Sequence, residues 1–184
     1  MDWCASISCK SRDPRDRPVQ RASACCNSST VRVADWVPIG NGTAKMPTKV
    51  ECFLDTNILL YAALGKDDEP KKFSVSRGLI EAWKFGLSTQ VLGEFFVNAQ
   101  RKSTRPLRAA EAAAMVVEFG DRPCAVLDHA IVRTAIEHSQ RYDISYWDAA
   151  IVAAAERLQA GILYSEDFNH GQSYGSVRVL NPFV

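Results

Sequence analysis

Histidine is scarce in these 184 residues: only His129, His138 and His170 are present, and no two are spaced to act as a pair. That argues against paired-imidazole acid–base chemistry. Long apolar runs are also missing. None approaches the roughly 20 residues that cross a bilayer, and Met1 is not followed by an apolar core of the kind that directs secretion. The expectation is a soluble cytoplasmic protein without membrane contact. Net charge is nearly absent at +1, so no basic excess advertises nucleic acid, although metal ions can supply the positive charge a phosphate groove needs. What is present is globular: 47% hydrophobic and 23% charged residues, enough for one domain with a sizeable core.

The charge is unevenly spread. Residues 1–45 hold seven basic side chains (Lys10, Arg12, Arg15, Arg17, Arg21, Arg32, Lys45) against four acidic ones (Asp2, Asp13, Asp16, Asp35). Four of the six cysteines, Cys4, Cys9, Cys25 and Cys26, lie there too, with no histidine near them and poor spacing for zinc. Asp13 and Asp16 count against a transit peptide, and no helical or strand period survives. The expectation is that residues 1–45 are a disordered extension or a mis-assigned start, with Met46 opening a domain over 46–184. Retention of Met1 in the natively expressed protein would contradict the mis-start.

From Lys49 onward short apolar runs alternate with amphipathic stretches. Val50–Leu54 reads as a strand and Ile58–Leu64 as a helix, with a polar loop over Gly65–Pro70. A second helix is expected over Lys71–Trp83, with Val75, Leu79, Ile80 and Trp83 at core spacing. A strand near Leu87–Thr89 leads into a helix over Gln90–Arg101, and Pro106 suits the first turn of the Ala-rich helix ending near Glu118. Cys124–Leu127 is a strand candidate, and Asp128 can cap a helix running to Gln140. A helix over Tyr146–Gln159 and strands at Ile162–Tyr164 and Val177–Leu180 complete the chain. Such alternation implies an α/β fold with a mainly parallel sheet flanked by helices.

In parallel sheets, ligands sit outside the carboxyl ends of the strands. Asp55 follows the first strand, and Asp167 follows Ile162–Tyr164 after Ser165 and Glu166. Glu94 rides on the helix entered from Leu87–Thr89, and Asp148 opens the helix after Ser145. Each also has an ordinary reading. Asp55 fits a helix cap, Ser145 to Asp148 a capping-box variant, Glu94 a solvated flank, and Glu166-Asp167 a polar turn. Only their joint pattern outweighs these readings. Several carboxylates without a required histidine suit hard cations such as Mg²⁺ or Mn²⁺, which can activate water for phosphodiester hydrolysis.

The motifs Phe53-Leu54-Asp55-Thr56-Asn57-Ile58-Leu59, Leu87 to Phe95, Tyr146-Trp147-Asp148-Ala149-Ala150 and Ser165-Glu166-Asp167-Phe168-Asn169 resemble, in order, those of the PIN-domain family. More narrowly they resemble VapC-type toxins of bacterial type II toxin–antitoxin systems. The resemblance covers about Val50 to Pro182. It implies a PIN-like three-layer α/β/α fold and a Mg²⁺- or Mn²⁺-dependent endoribonuclease. Asp55, Glu94, Asp148 and Asp167 would be its catalytic, metal-site residues, supported by Thr56, Asn57, Ser165 and Glu166. It also implies a cognate antitoxin and a homodimer, with DNA reached only through the antitoxin.

Arg101, Lys102, Arg105 and Arg108 cluster after the Glu94 helix and are candidates for RNA phosphate contacts; the ordinary reading is a solvated basic turn. His170 lies near the acids and is a further candidate for touching RNA. Phe73, Trp83, Phe85, Phe95 and Phe96 are candidates for an antitoxin groove or for core. The rival from another class is a noncatalytic PIN-fold module that binds partners without cleaving RNA, against which the retention of all four acids argues.

Overall fold

The computed structural model describes residues 50–184, so the expectations for residues 1–45 and for Met46 lie outside the described residues. The elements are β1 (Cys52–Leu54), α1 (Thr56–Asp68), α2 (Pro70–Ala82), β2 (Phe85–Ser88), α3 (Thr89–Ala99), α4 (Ala109–Gly120), β3 (Cys124–Ala125), α5 (His129–Tyr142), α6 (Tyr146–Arg157), β4 (Ile162–Tyr164), β5 (Ser173–Tyr174) and β6 (Val177–Leu180).

The strands form one sheet in the order β3-β2-β1-β4-β6-β5. All neighbours are parallel except β5 and β6. The central strands β1 and β2 are buried on both faces, which explains why β1 reads as an unbroken apolar run instead of an alternating one. The helices pack mainly as α1 against α2 and α3, α3 against α4, and α5 against α6. This is a three-layer α/β/α arrangement. The chain builds β2 and β3 on one side of β1 and then crosses to β4 and β6 on the other. The order of travel therefore reverses between β1 and β4, and a crevice at their carboxyl ends follows.

Helix α6 is the apolar centre: Ala149 to Ala155 are buried without interruption. Small side chains all round let it lie close to the sheet, and it touches β2, β3, β4 and β6. Gly86 in β2 belongs to this close approach, since a Cβ there would come within 2.6 Å of Leu158 Cδ1. On the other side, Phe95 of α3 is fully buried and meets Phe119 of α4 edge-on at a centroid distance of 5.3 Å. Phe95→Ala is expected to destabilise the fold by about 3–5 kcal/mol in a urea melt; a loss below about 1 kcal/mol would show that this pair is peripheral.

Several sequence expectations need correction. Gly65–Asp68 is not a loop but the last turn of α1, whose polar residues Lys66 to Asp68 are exposed and need no apolar neighbours, and Glu69 alone joins it to Pro70 at the start of α2. Gly65 is buried at that turn, where a Cβ would lie 3.4 Å from Phe73 Cβ. Val75 and Trp83 are 39% and 40% exposed, so the buried stripe of α2 runs through Ser76 and Ile80. Pro106 precedes α4, whose N-cap is Arg108. The strand β3 is only two residues long, and β5, paired with β6 as an antiparallel hairpin around Gly175 at φ 59°, went unanticipated. Phe85 and Phe95 are core residues and cannot line an antitoxin groove.

Candidate active site

Asp55 is the first residue past β1, and the pairing of Leu54 with Tyr164 places it level with Ser165 past β4. Its amide donates to the Tyr164 carbonyl at 3.1 Å, and the Ser165 amide donates to Leu180 at 3.2 Å, so both strand ends are tied into the sheet. The Asp55 side chain is 4% exposed. One oxygen accepts from the Thr56 amide at 2.6 Å, which is the helix-capping role the sequence allowed. The other accepts from Ser165 Oγ at 2.5 Å and Asn57 Nδ2 at 3.1 Å.

Asn57 and Thr56 extend this centre to two further acids. Asn57 Nδ2 also donates to Asp167 Oδ2 at 3.1 Å and reaches Ser165 Oγ at 3.4 Å. The Asp167 amide donates to Ser165 Oγ at 3.1 Å. Thr56 Oγ1 donates to Glu94 Oε2 at 2.8 Å, crossing from α1 to α3. Asp55, Glu94 and Asp167 thus share one hydrogen-bonded network with Thr56, Asn57 and Ser165. Burial pushes the Asp55 carboxyl up to about 7; its hydrogen bonds from Ser165 and Thr56 pull the other way, and the Asp167 and Glu94 charges push it further up.

Asp148 sits in the first turn of α6, where Ser145 Oγ donates to Asp148 Oδ2 at 2.8 Å and accepts from the Asp148 amide at 3.1 Å. It therefore fulfils the capping reading. The residue before it, Trp147, is tied to the network: Gln90 Nε2 donates to Glu94 Oε1 at 2.9 Å and to the Trp147 carbonyl at 3.2 Å. Glu166 turns the other way. It accepts from Tyr61 Oη at 2.5 Å and from Lys72 Nζ at 2.7 Å, so its charge is matched by α2 and not held among the other acids.

The basic cluster divides. Lys102 lines a cleft of about 230 Å³ that also contains Asn57, Tyr61, Glu166 and Asp167. Arg105 pairs with Asp67 at 3.1 Å, and Arg108 pairs with Glu111 as part of the α4 cap. Arg101 is exposed. His170 Nδ1 accepts from the Asn181 amide at 3.2 Å. Sequence reasoning missed Tyr61, Lys72, Gln90 and Trp147 as neighbours of the acids. The only signal was spacing: Gln90 stands four residues before Glu94 and Trp147 directly precedes Asp148.

The donor set is all oxygen, as a hard divalent cation requires, and it is short of positive charge. Asn57 Oδ1 is buried without a hydrogen-bond partner in the same place. The residues therefore fit such an ion in kind. Among the described residues, however, no three acidic, histidine or cysteine side chains are already gathered tightly enough to hold one.

Comparison with known families agrees with this α/β/α fold. The PIN domain family model matches residues 52–172, and the chain belongs to that family. Among solved structures, a toxin–antitoxin complex from Klebsiella pneumoniae superposes with a TM-score of 0.54 at 17% identity, over 71% of this chain and 97% of that one. VapC20 from Mycobacterium tuberculosis, a toxin that cleaves the sarcin–ricin loop, superposes with a TM-score of 0.51 at 21% identity, over 61% of this chain and 86% of its own. At such identities the likeness concerns the fold. No curated protein matches the sequence.

Proposed function

We propose that this protein is a Mg²⁺- or Mn²⁺-dependent endoribonuclease acting as the toxin of a toxin–antitoxin pair. The observation that carries the reading is the network joining Asp55, Glu94 and Asp167 at the reversal point of a PIN-family sheet. Asp55, Glu94, Asp148 and Asp167 would hold the cation. When bound, it would supply a water of lowered pKa and positive charge for the phosphoryl group. Thr56, Asn57 and Ser165 orient the carboxylates, because each donates a hydrogen bond to at least one of them. Lys102 gives the adjoining cleft a cation for the RNA backbone, contributing attraction without base reading. In-line attack by water with a 3′-oxygen leaving group forms a 5′-phosphate and a 3′-hydroxyl, with no covalent enzyme intermediate.

A cognate antitoxin is supported by the Klebsiella neighbour, whose structure is a toxin–antitoxin complex. A homodimer is the expected assembly, and the antitoxin would supply a basic surface for DNA, since this chain's net charge is only +1. The absence of a helix long and apolar enough to cross a membrane among the described residues is compatible with a cytoplasmic target. The test is incubation of total RNA with the full chain plus Mg²⁺, Mn²⁺ or EDTA. Discrete fragments with 5′-phosphates that vanish in EDTA are expected; intact RNA with folded, metal-loaded protein would overturn the nuclease reading in favour of a partner-binding module.

A further inference from the structure

On the α3 side of the acids lies an open groove of about 510 Å³, lined by Thr89, Gln90, Gly93, Glu94, Leu127 and Trp147. Its volume falls within the roughly 300–1,000 Å³ of small-ligand sites. Trp147 is 61% exposed although it directly precedes Asp148, and its ring meets Tyr146 edge-on at a centroid distance of 5.2 Å. Leu127 is held at the groove by its amide donating to Thr89 Oγ1 at 3.1 Å. Gly93 leaves the groove open, since a Cβ placed there meets nothing within 4 Å.

Gln90 fixes the wall of the groove between α3 and the start of α6. It is 9% exposed, its Nε2 serves Glu94 and the Trp147 carbonyl, and its Oε1 is buried without a partner. Exchanging the amide atoms would set that oxygen against two acceptors, so the orientation is fixed by its neighbours. A groove walled mainly by apolar atoms beside an exposed indole suits a ligand with a flat apolar face. Because Glu94 lines both the groove and the acidic network, such a ligand would lie beside the scissile bond.

We propose that this groove, open beside the acidic network, seats one unpaired nucleobase of the RNA, stacked on Trp147. The inference rests on the nuclease reading and adds a base subsite to it. Trp147 acts as a binding and positioning residue rather than through the chemistry of cleavage. Aromatic stacking tolerates any base, so the subsite favours single-stranded over paired RNA.

The probe is a fluorescent, unstructured ten-nucleotide RNA, titrated with Mg²⁺ into the full chain carrying Asp55→Asn so that it is not cut. Adding Trp147→Ala is expected to weaken binding on the order of 10-fold, with Trp147→Phe recovering most of it. Gly93→Leu fills the groove on an exposed helix face and is expected to match that loss without lowering Tm. Probes lacking one base in turn provide the deciding comparison. Removing the base at a single position should weaken binding to the Trp147 protein and leave binding to Trp147→Ala unchanged. Equal penalties in both proteins, or undiminished affinity of Trp147→Ala and Gly93→Leu, would overturn the subsite. If wild type still cuts RNA in that case, the nuclease reading stands; if wild type neither binds nor cuts RNA, both fall.

Discussion

Asp55→Asn is expected to lower RNA cleavage by more than about 100-fold while the protein stays folded. Loss of a residue that supports a metal ligand typically costs 10–100-fold in affinity or activity, and loss of the ligand itself should exceed that. The substitution keeps shape and removes charge. Asn57 Nδ2 and Ser165 Oγ both now donate to one Asp55 oxygen. The introduced amide nitrogen can take that position only if Asn57 turns its amide to present the otherwise unpartnered Oδ1 and the Ser165 hydroxyl turns its proton away. The remaining carbonyl oxygen can still cap α1 by accepting from the Thr56 amide. Ser165→Ala provides the contrast: it deletes one donor from Asp55 but no carboxylate, so a 10–100-fold loss is expected. Cleavage assays at saturating metal check both. Full activity in Asp55→Asn would remove this residue from the reaction, and equal losses in the two variants would make the hydroxyl as important as the charge.

The parts of this arrangement that were legible in the sequence are those that local chemistry fixes. Cys52–Leu54 is an unbroken apolar run closed by an acid, and a buried parallel strand must look like that. Asp128 capping α5 and Ser145 capping α6 follow from side chains that reach back to helix amides. Other features depend on contacts between distant segments and leave no local trace. Glu166 reads like Asp167 in the chain, yet Tyr61 and Lys72 turn it away from the other acids from 105 and 94 residues distant. Gln90 reads as an ordinary helix polar residue, although it spans α3 and the start of α6. The exposure of Val75 and Trp83 likewise depends on how α2 meets α1: an amphipathic period placed Leu79 and Ile80 against the core but could not tell that Val75 and Trp83 fall at the edge of that face.

The metal-free protein is expected to lose stability as pH rises from about 4 to about 7. Asp55 has a folded-state pKa of about 7 against an ordinary value of 3.8. Below about pH 4 it is protonated whether the chain is folded or not, and its burial is not penalised. Between the two values the folded state holds a proton that the unfolded state has released, so unfolding becomes easier with each step in pH. Above about 7 the penalty is complete, with a ceiling on the order of 4 kcal/mol. The lowered carboxyls of Asp68, Glu111 and Asp128 act in the opposite sense, and their contribution is lost only as pH falls below the ordinary carboxylate range. The two effects therefore occupy separate windows. A divalent cation beside Asp55 would offset its penalty, so Mn²⁺ should raise Tm strongly at pH 8 and little at pH 5, where protons compete for the same oxygens. Asp55→Asn should flatten the slope between pH 4 and 7, make the metal-free protein more stable than wild type at pH 8, and lose most of the Mn²⁺ response. Thermal melts at pH 5 and 8 with EDTA or Mn²⁺ measure all three. A slope identical in the two proteins would mean that this carboxylate is not the group whose burial works against the fold.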